Sequence, residues 1–320
     1  MAVSNGPTGR RGANSQRGHA TRRSSNNGRG ATTPRKSASR HGTQKHRKSA
    51  NRHDPTRTLE KEMLAELAAT GTHTAATVNP PSVQTRVRAN SDGTQTQANT
   101  NPAGSKARGP ILAGVDEVGR GAIAGPVCVG IALVDETVPD TFPPGLRDSK
   151  MLSEKAREGL YSAVRAWPLA VEVGYASAAT VDSLGIIGAL RAAAADALAK
   201  LAARGYTPDA VLLDGTHNWW TTEPDALLEI GPILPAIPVR TVRKADADCA
   251  VVAAASIVAK VERDHVMVAL AEQYPGYDWA SNKGYGSAGH GAALSSLGVS
   301  PQHRVSWHLP GVRRNQHERN

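Results

Sequence analysis

Two adjacent carboxylates at the end of an apolar run are the residues of this chain best suited to chemistry. Residues 111–117 read ILAGVDE, so Asp116 and Glu117 end the run, and a glycine-rich turn follows. Such a run is typical of a buried strand. Because a carboxylate there is costly without a compensating cation, the pair indicates a site for a divalent metal that prefers oxygen ligands. The alternative, from this dipeptide alone, is an ordinary strand-to-turn junction with its acids in water.

Two further acids follow predicted strands. Asp214 ends the apolar run at residues 210–214, and Asp246 comes shortly after the run at residues 239–242. Strand ends brought together form the ligand crevice of an open sheet with helices. Four carboxylates gathered there would repel one another. With two Mg2+ or Mn2+ ions they would form a two-metal site for in-line phosphoryl displacement. Taken singly, Asp214 is a common turn residue and Asp246 a common helix N-cap.

The elements that must position these acids alternate along the chain. Apolar runs predict strands, and 3.6-residue periodicity predicts helices. The strands are predicted at residues 111–117, 127–135, 169–176, 210–214 and 239–242, and the helices at residues 187–203 and 247–273. The last helix carries Ala253, Ala254, Ala255 and Ala259, which permit close packing on a sheet. This succession predicts an α/β fold, with a mixed sheet covered by helices.

Charge is unevenly distributed. Residues 1–108 carry 19 Lys and Arg against 5 Asp and Glu, a net charge of +14, whereas residues 109–320 carry 19 against 23, a net charge of −4. Residues 1–54 have little to bury and are predicted to be a disordered basic tail. Such a tail attracts nucleic acid through counterion release. The alternatives are a solvated tail without a partner, or a start codon assigned too early.

A short amphipathic helix is predicted at residues 55–67. Leu59, Met63 and Leu67 fall on one helical stripe, and Thr58 is a candidate N-cap. Residues 71–107 lack periodicity and are predicted to be a flexible linker. The chain has no run long enough to span a bilayer, no secretory signal pattern, and two distant cysteines. These features predict a reducing, cytoplasmic setting.

Several ordered motifs of residues 108–312 together resemble the ribonuclease HII family. In chain order they are DEVGRG at 116–121, DSKMLS at 148–153, LDG at 213–215, KAD at 244–246, AASIVAKVERD at 254–264, KGYG at 283–286 and His303-Arg304. One such motif would be weak, whereas this many in order make coincidence implausible.

The resemblance implies a ribonuclease H-like fold. The expected architecture is a five-stranded mixed sheet flanked by helices, its first three strands antiparallel, with a helical C-terminal part. The catalytic domain would span residues 108–314, followed by a disordered C-terminus at residues 315–320. The family's short helix before the first strand resembles residues 55–67, so residues 71–107 would be an insertion.

The resemblance also implies an activity and a set of metal ligands. The expected reaction is endonucleolytic cleavage of RNA in RNA/DNA hybrids, together with incision 5′ to single ribonucleotides in duplex DNA during replication and repair. Two Mg2+ or Mn2+ ions would be held by Asp116, Glu117, Asp214 and Asp246. Asp248 is a rival for the fourth ligand, and Asp264 is interpreted as structural or supporting. A monomer is expected.

Substrate recognition is implied for the glycine-rich turn and one tyrosine. Backbone groups of Gly119, Arg120 and Gly121 can approach a ligand closely and hydrogen-bond a ribose 2′-hydroxyl. The family assigns that task to this turn together with the tyrosine matching Tyr285. The alternatives are an ordinary tight loop and a core-edge aromatic.

Lys150 and Arg120 are candidate phosphate contacts, although Lys150 is equally compatible with a solvated surface position. Met151 stands where the family commonly has a second lysine. No role is assigned to Trp219-Trp220 or His303-Arg304.

Two rival functions stay open. A type HIII ribonuclease H lacks this Gly-Arg-Gly turn and carries a folded N-terminal domain, whereas this N-terminal region is predicted to be unfolded. A non-catalytic protein that binds RNA/DNA hybrids would not need all four candidate ligands. Cleavage assays with and without Mg2+ separate these possibilities.

Overall fold

The computed structural model of the protein describes residues 54–71, 108–222 and 231–312. The predicted basic tail (1–54), linker (71–107) and disordered C-terminus (315–320) lie outside these residues, except at residues 54 and 71. They therefore stay predictions.

Five strands form one mixed sheet. They are β1 (Leu112–Val118), β2 (Val127–Val134), β3 (Ala170–Ala176), β4 (Ala210–Asp214) and β5 (Val239–Val242). Their order is β3-β2-β1-β4-β5. The pairs β1–β2 and β2–β3 are antiparallel, whereas β1–β4 and β4–β5 are parallel. The predicted mixed sheet is confirmed, and each predicted strand agrees with an observed one to within about one residue at either end.

Helices cover both faces of this sheet. They are α1 (Thr58–Thr70), α2 (Glu154–Ala166), α3 (Ala178–Ala203), α4 (Ala245–Asp248), α5 (Ala250–Gln273), α6 (Trp279–Asn282) and α7 (Ala288–Leu297). A short 3-10 helix spans Ser149–Met151. Side chains alternate along β1, so that Leu112 joins a core with α1 and α5, whereas Ala113 joins a core with α3.

Small residues bring α5 close to the sheet, as predicted. A Cβ atom added to Gly130 of β2 would lie 2.5 Å from the carbonyl oxygen of Ala255 and 3.0 Å from the Cβ of Ala259. Any larger side chain on either surface would push the helix away. This spacing holds α5 directly against the strand that pairs with β1, which carries the first acids.

Two helix predictions were inaccurate, and a third was incomplete. The short N-terminal helix begins at Thr58 with Arg57 in the N-cap position and no side-chain cap, so the predicted Thr58 cap is wrong. The single helix predicted over residues 247–273 is two helices, because Cys249 is extended (φ −119°, ψ 123°) and pairs with Thr56 as an isolated β-bridge. Helix α3 consists of two helical segments that meet at Gly185, which is not helical (φ 66°, ψ 173°); the helix predicted at residues 187–203 agrees with the second segment, and the first segment was not predicted.

The C-terminal part is helical, as the resemblance implied. Helices α6 and α7 surround a third core that includes Trp279 and Met267. Trp219 and Trp220 are also buried, in the core under α3. None of the described helices combines the length and apolar character needed to cross a membrane.

Candidate active site

The four predicted metal ligands meet at one edge of the sheet. Strands β1 and β4 are parallel neighbours, and Val115 pairs with Leu213, so Asp116 and Asp214 follow side by side. Burial raises the pKa of both Asp116 and Asp214; the charges of Asp214 and Glu117 raise that of Asp116 further, and the charge of Asp246 raises that of Asp214 further. The fold therefore gathers acids that lie far apart in the sequence.

Among the acids of this group that are carried by strands of the sheet, Asp116 is the most deeply buried. Burial raises its pKa to about 8, although a hydrogen bond with the Ser256 side chain opposes this shift. The Ser256 hydroxyl also hydrogen-bonds the Ser149 hydroxyl at 2.8 Å. Because burial disfavours the charged form of Asp116, a bound cation would stabilise that form strongly.

Two carboxylate oxygens at this edge are buried without a hydrogen-bond partner among the described residues. They are Oε2 of Glu117 and Oδ1 of Asp214. Buried polar atoms are ordinarily hydrogen-bonded, and an ionised carboxylate oxygen can only accept. Oxygens of this kind fit a hard divalent cation, so the residues present suit the metal that the resemblance implies.

Two basic side chains of the protein form ion pairs with two of these acids. Nζ of Lys150 lies 2.9 Å from Oδ2 of Asp246, and Nη1 of Arg120 lies 3.0 Å from Oε1 of Glu117. Hydrogen bonding to Asp246 and the neighbouring acids raise the pKa of Lys150 against the opposing effect of burial. In the described part of the chain, no three acidic, histidine or cysteine side chains form a ready metal cluster. The acids are thus neighbours, two of which already have cationic partners of their own.

The two other candidate acids occupy different surroundings. Asp248 is exposed at the end of α4. Asp264 is buried and forms ion pairs with Lys260 and with Arg157, the latter at 3.4 Å. Asp148, which the sequence reasoning did not assign, lies beside Asp246; burial and the charge of Asp246 raise the pKa of Asp148. These positions support Asp246 rather than Asp248 as the fourth acid.

Buried Arg304 supports the glycine-rich turn from the interior of the protein. Nη2 of Arg304 donates to the carbonyl oxygen of Gly119 at 2.8 Å, and Nη1 donates to that of Arg120 at 3.0 Å. Among the described residues, the N–H groups of Arg120 and Gly121 donate to no protein acceptor. The carbonyl groups of the turn are therefore anchored, while two donors stay available at the surface.

Buried Arg263 connects the segment that follows this turn to the segment that carries Tyr285. Its Nε donates to the carbonyl oxygen of Pro126 at 2.9 Å, and its Nη1 donates to that of Lys283 at 3.0 Å. The guanidinium also lies 5.4 Å from the centre of the Tyr285 ring. Sequence reasoning missed both supporting arginines, although each lies in a motif of the resemblance.

A chain of histidines fixes the backbone of Tyr285. Nδ1 of His303 accepts the N–H of Ser300 at 2.9 Å, so the proton of this ring lies on Nε2, which is 3.0 Å from Nε2 of His290. Nδ1 of His290 donates to the carbonyl oxygen of Tyr285 at 3.0 Å. Tyr285 itself is 37% exposed. Its backbone is held in place while its ring stays accessible.

These parts line one cleft of about 260 Å³. Its lining includes Asp116, Glu117 and Asp214 together with Lys150, Lys260, the glycine-rich turn and Tyr285. Asp246 is not among the lining residues; it is buried, and its Oδ2 forms an ion pair with Nζ of Lys150, which does line the cleft. Acids, free backbone donors and an accessible aromatic ring thus share one surface.

The family model described as Ribonuclease HII matches residues 113–309. The chain belongs to the ribonuclease HII family. Ribonuclease HII of Streptomyces avermitilis is 44% identical over 197 residues, covering 62% of this chain and 76% of the relative. Ribonuclease HII of Thermus thermophilus is 42% identical over 197 residues, covering 62% of this chain and 86% of the relative.

Solved structures of similar proteins cover about three fifths of this chain. Ribonuclease H2 from Pyrococcus horikoshii OT3 is 26% identical, with a TM-score of 0.43, covering 62% of this chain and 95% of that chain. Bst-RNase HIII in complex with Mn2+ is 20% identical, with a TM-score of 0.42, covering 59% of this chain and 61% of that chain.

Membership of the ribonuclease HII family makes the protein a ribonuclease H, a hydrolase that cleaves RNA endonucleolytically. Members of this family generally depend on divalent metal ions and act on nucleic-acid hybrids. The predicted membership of the ribonuclease HII family and the predicted class of enzyme are thereby confirmed. The individual roles of the site residues stay predictions, and the geometry above is the basis for proposing them.

Proposed function

We propose that this ribonuclease HII cleaves the phosphodiester 5′ of a ribonucleotide in a hybrid or in duplex DNA, leaving a 3′-hydroxyl and a 5′-phosphate. The observation that carries the proposal is the shared cleft. Acidic side chains suited to bind a metal, two of them with a buried oxygen that has no hydrogen-bond partner among the described residues, line this cleft. The glycine-rich turn with its free N–H donors and the accessible Tyr285 line it as well. A site with only the acids would suit many phosphoryl-transfer enzymes, whereas the added donors suit recognition of RNA.

Asp116, Glu117, Asp214 and Asp246 would hold the divalent ions, Mg2+ or Mn2+. Two such ions supply a nucleophilic water and charge stabilisation of the leaving oxygen when they are bound. Glu117 and Asp214 each contribute a buried oxygen without a partner among the described residues, and Asp116 contributes a carboxylate whose charged form burial disfavours. Asp246 becomes available when Lys150 moves its ammonium group from this acid to a substrate phosphate.

The glycine-rich turn would recognise the ribose 2′-hydroxyl. The N–H groups of Arg120 and Gly121 are donors, and the absence of a side chain at Gly121 lets a sugar approach the backbone closely. The Tyr285 ring would stack on the neighbouring sugar and bring its hydroxyl toward the same 2′-oxygen. Arg120, with a partly exposed side chain, would contact a phosphate.

The test uses a labelled DNA duplex with one internal ribonucleotide, incubated with the full chain in Mg2+, in Mn2+ and in EDTA. An all-DNA duplex and the Asp116→Asn variant are the controls. The proposal expects one cut, 5′ to the ribonucleotide, that is absent in EDTA and in both controls. The 5′ end should be sensitive to phosphatase.

Other results would contradict parts of the proposal. Cleavage of a long RNA/DNA hybrid without a cut at the single ribonucleotide would indicate type HIII behaviour and contradict the role of the turn. Binding without cleavage of either substrate would indicate a non-catalytic hybrid-binding protein. We further propose that the protein acts in the cytoplasm and that it is a monomer. Gel filtration of the full chain tests the oligomeric state.

A further inference from the structure

Residues 54–71 lie outside the region matched by the family model, yet they contact the junction between α4 and α5. This junction, called the corner below, carries Asp246. We propose that Glu60 of α1 is a positioning residue for Asp246. It caps the N-terminus of α5 from another part of the chain and thereby fixes the junction between α4 and α5. This inference rests on the proposed role of Asp246 as a metal ligand.

Helix α5 begins without a cap of its own. Its N-cap residue, Cys249, is extended and makes no side-chain capping hydrogen bond. The first N–H groups of a helix have no partner within the helix and need one from elsewhere. Here the N-terminal segment supplies the partners. Oε1 of Glu60 accepts the N–H of Val251 at 2.8 Å, and the carbonyl oxygen of Thr56 accepts that of Ala250 at 3.1 Å.

Glu60 is itself held firmly in this position. It is fully buried, and its Oε2 lies 2.8 Å from Nε of Arg57, whose side chain is 4% exposed. Arg57 donates in turn to the carbonyl oxygens of Asp135, at 3.1 Å, and Val138, both beyond the end of β2. A buried carboxylate with two fixed partners has little freedom to move. The cap therefore connects α5, through Arg57, to the segment that follows β2.

The same segment fixes the other side of the corner. The N–H of Thr56 donates to the carbonyl oxygen of Asp248 at 2.9 Å, in the same short helix as Asp246. Helix α4 is only four residues long, and the N–H of Cys249 donates back to the carbonyl oxygen of Ala245 at 2.8 Å. A helix this short has little stability of its own, so its position depends on the contacts at its two ends.

The corner influences two acids of the site. It carries Asp246, and the backbone N–H groups of Ala245 and Asp246 favour the charged form of the nearby Asp214 carboxylate, against the burial that raises its pKa. Groups that orient metal ligands indirectly typically change metal affinity by about 10- to 100-fold when they are removed. Loss of the Glu60 cap should therefore weaken metal binding more than its effect on overall stability would suggest.

The experiment compares Glu60→Ala with Leu67→Ala in the full chain. Both residues are buried on α1, and Leu67 belongs to the core that α1 shares with α5. Mn2+ binding is measured by isothermal titration calorimetry, and stability by thermal unfolding. We expect both variants to lose stability, while only Glu60→Ala loses Mn2+ affinity, by about tenfold or more. Equal Mn2+ affinity in the two variants would overturn the inference.

Two more variants test the mechanism. Glu60→Gln keeps an acceptor for the Val251 N–H and should retain most of the Mn2+ affinity. An affinity as low as that of Glu60→Ala would contradict capping as the cause. If Glu60→Ala does not fold, Glu60→Asp replaces it, because it keeps the charge for Arg57 but falls one methylene short of Val251. It should show the same loss of affinity as predicted for Glu60→Ala.

Failure of this inference is distinguishable from failure of the proposed function. A wild-type chain that neither binds Mn2+ nor cleaves the ribonucleotide duplex would contradict the proposed function. A wild-type chain that does both, with Glu60→Ala indistinguishable from Leu67→Ala, would contradict the role of Glu60 alone.

Discussion

Gly119 and Gly121 flank the same arginine but have opposite surroundings, so alanine at each position should separate folding from catalysis. Gly119 is buried with φ +80°, and an added Cβ would lie 2.0 Å from Nε of Arg263 and 2.8 Å from its Cδ. Gly121 is exposed, its φ is not positive, and no atom outside its chain neighbours lies within 4 Å of an added Cβ.

The expected destabilisation follows from two costs at Gly119. A left-handed conformation costs an alanine about 1–2 kcal/mol. Arg263 would also withdraw from the carbonyl oxygen of Pro126, and a hydrogen bond from a charged group contributes about 1.5–3 kcal/mol. Gly119→Ala should therefore lower the free energy of unfolding by roughly 2.5–5 kcal/mol. Gly121→Ala should change it by less than about 1 kcal/mol, because neither cost applies.

Urea unfolding followed by circular dichroism measures the stability of both variants, and cleavage of the single-ribonucleotide duplex measures activity. Gly121→Ala should fold like the wild type and lose at least about tenfold in cleavage, since a misplaced substrate reacts slowly. Equal unfolding free energies for the two variants would refute the packing argument. Wild-type cleavage by Gly121→Ala would refute close approach of the substrate at this position.

Three further predictions concern other parts of the site. Asp116→Asn should reduce cleavage at least about 100-fold while hybrid binding, measured by fluorescence anisotropy, is retained; normal turnover would contradict the metal assignment. Tyr285→Ala should slow junction cleavage about tenfold through lost stacking, with little change in unfolding; equal losses of both would make Tyr285 structural. Burial and the nearby His290 lower the pKa of His303 to about 4 from an ordinary 6.5. The contribution of His303 to stability should thus be complete above pH 6.5 and smaller by about 2 kcal/mol at pH 5, because the unfolded state binds the proton more readily. Since the raised pKa of Asp116 gives stability the opposite pH dependence over this range, the contribution is measured as the difference between the wild type and His303→Gln, each unfolded in urea at both pH values. A difference that does not change with pH would contradict the prediction.

Strand positions were predictable because alternation and apolar runs are local properties of the sequence. The five strands and the acids at the ends of β1 and β4 follow from such patterns. Helix boundaries were less predictable. The break at Cys249 depends on a bridge to Thr56, and no local pattern near residue 249 indicates that contact. Helix α2 was not predicted at all, although the side chain of Ser153 caps it in the ordinary way.

The candidate site was partly predictable for the same reason. The resemblance implied the acids, the glycine-rich turn and Tyr285, and the fold brings all of these together at one edge of the sheet or in its cleft. Sequence reasoning did not find the supporting residues Arg263 and Arg304. Arginines that bind backbone carbonyl groups carry no spacing pattern of their own, because their partners come from distant turns.

The sequence by itself determined the class of fold, the family and the acids available for metal binding, since each of these is written in short motifs and local periodicity. Only the tertiary structure decided that Lys150 pairs with Asp246 and that Glu60 caps α5. Glu60 and Val251 are separated by 191 positions, and their contact exists only when α1 packs against the sheet's helices. Contacts of this kind depend on the folded geometry of the whole chain, and local patterns do not contain that information.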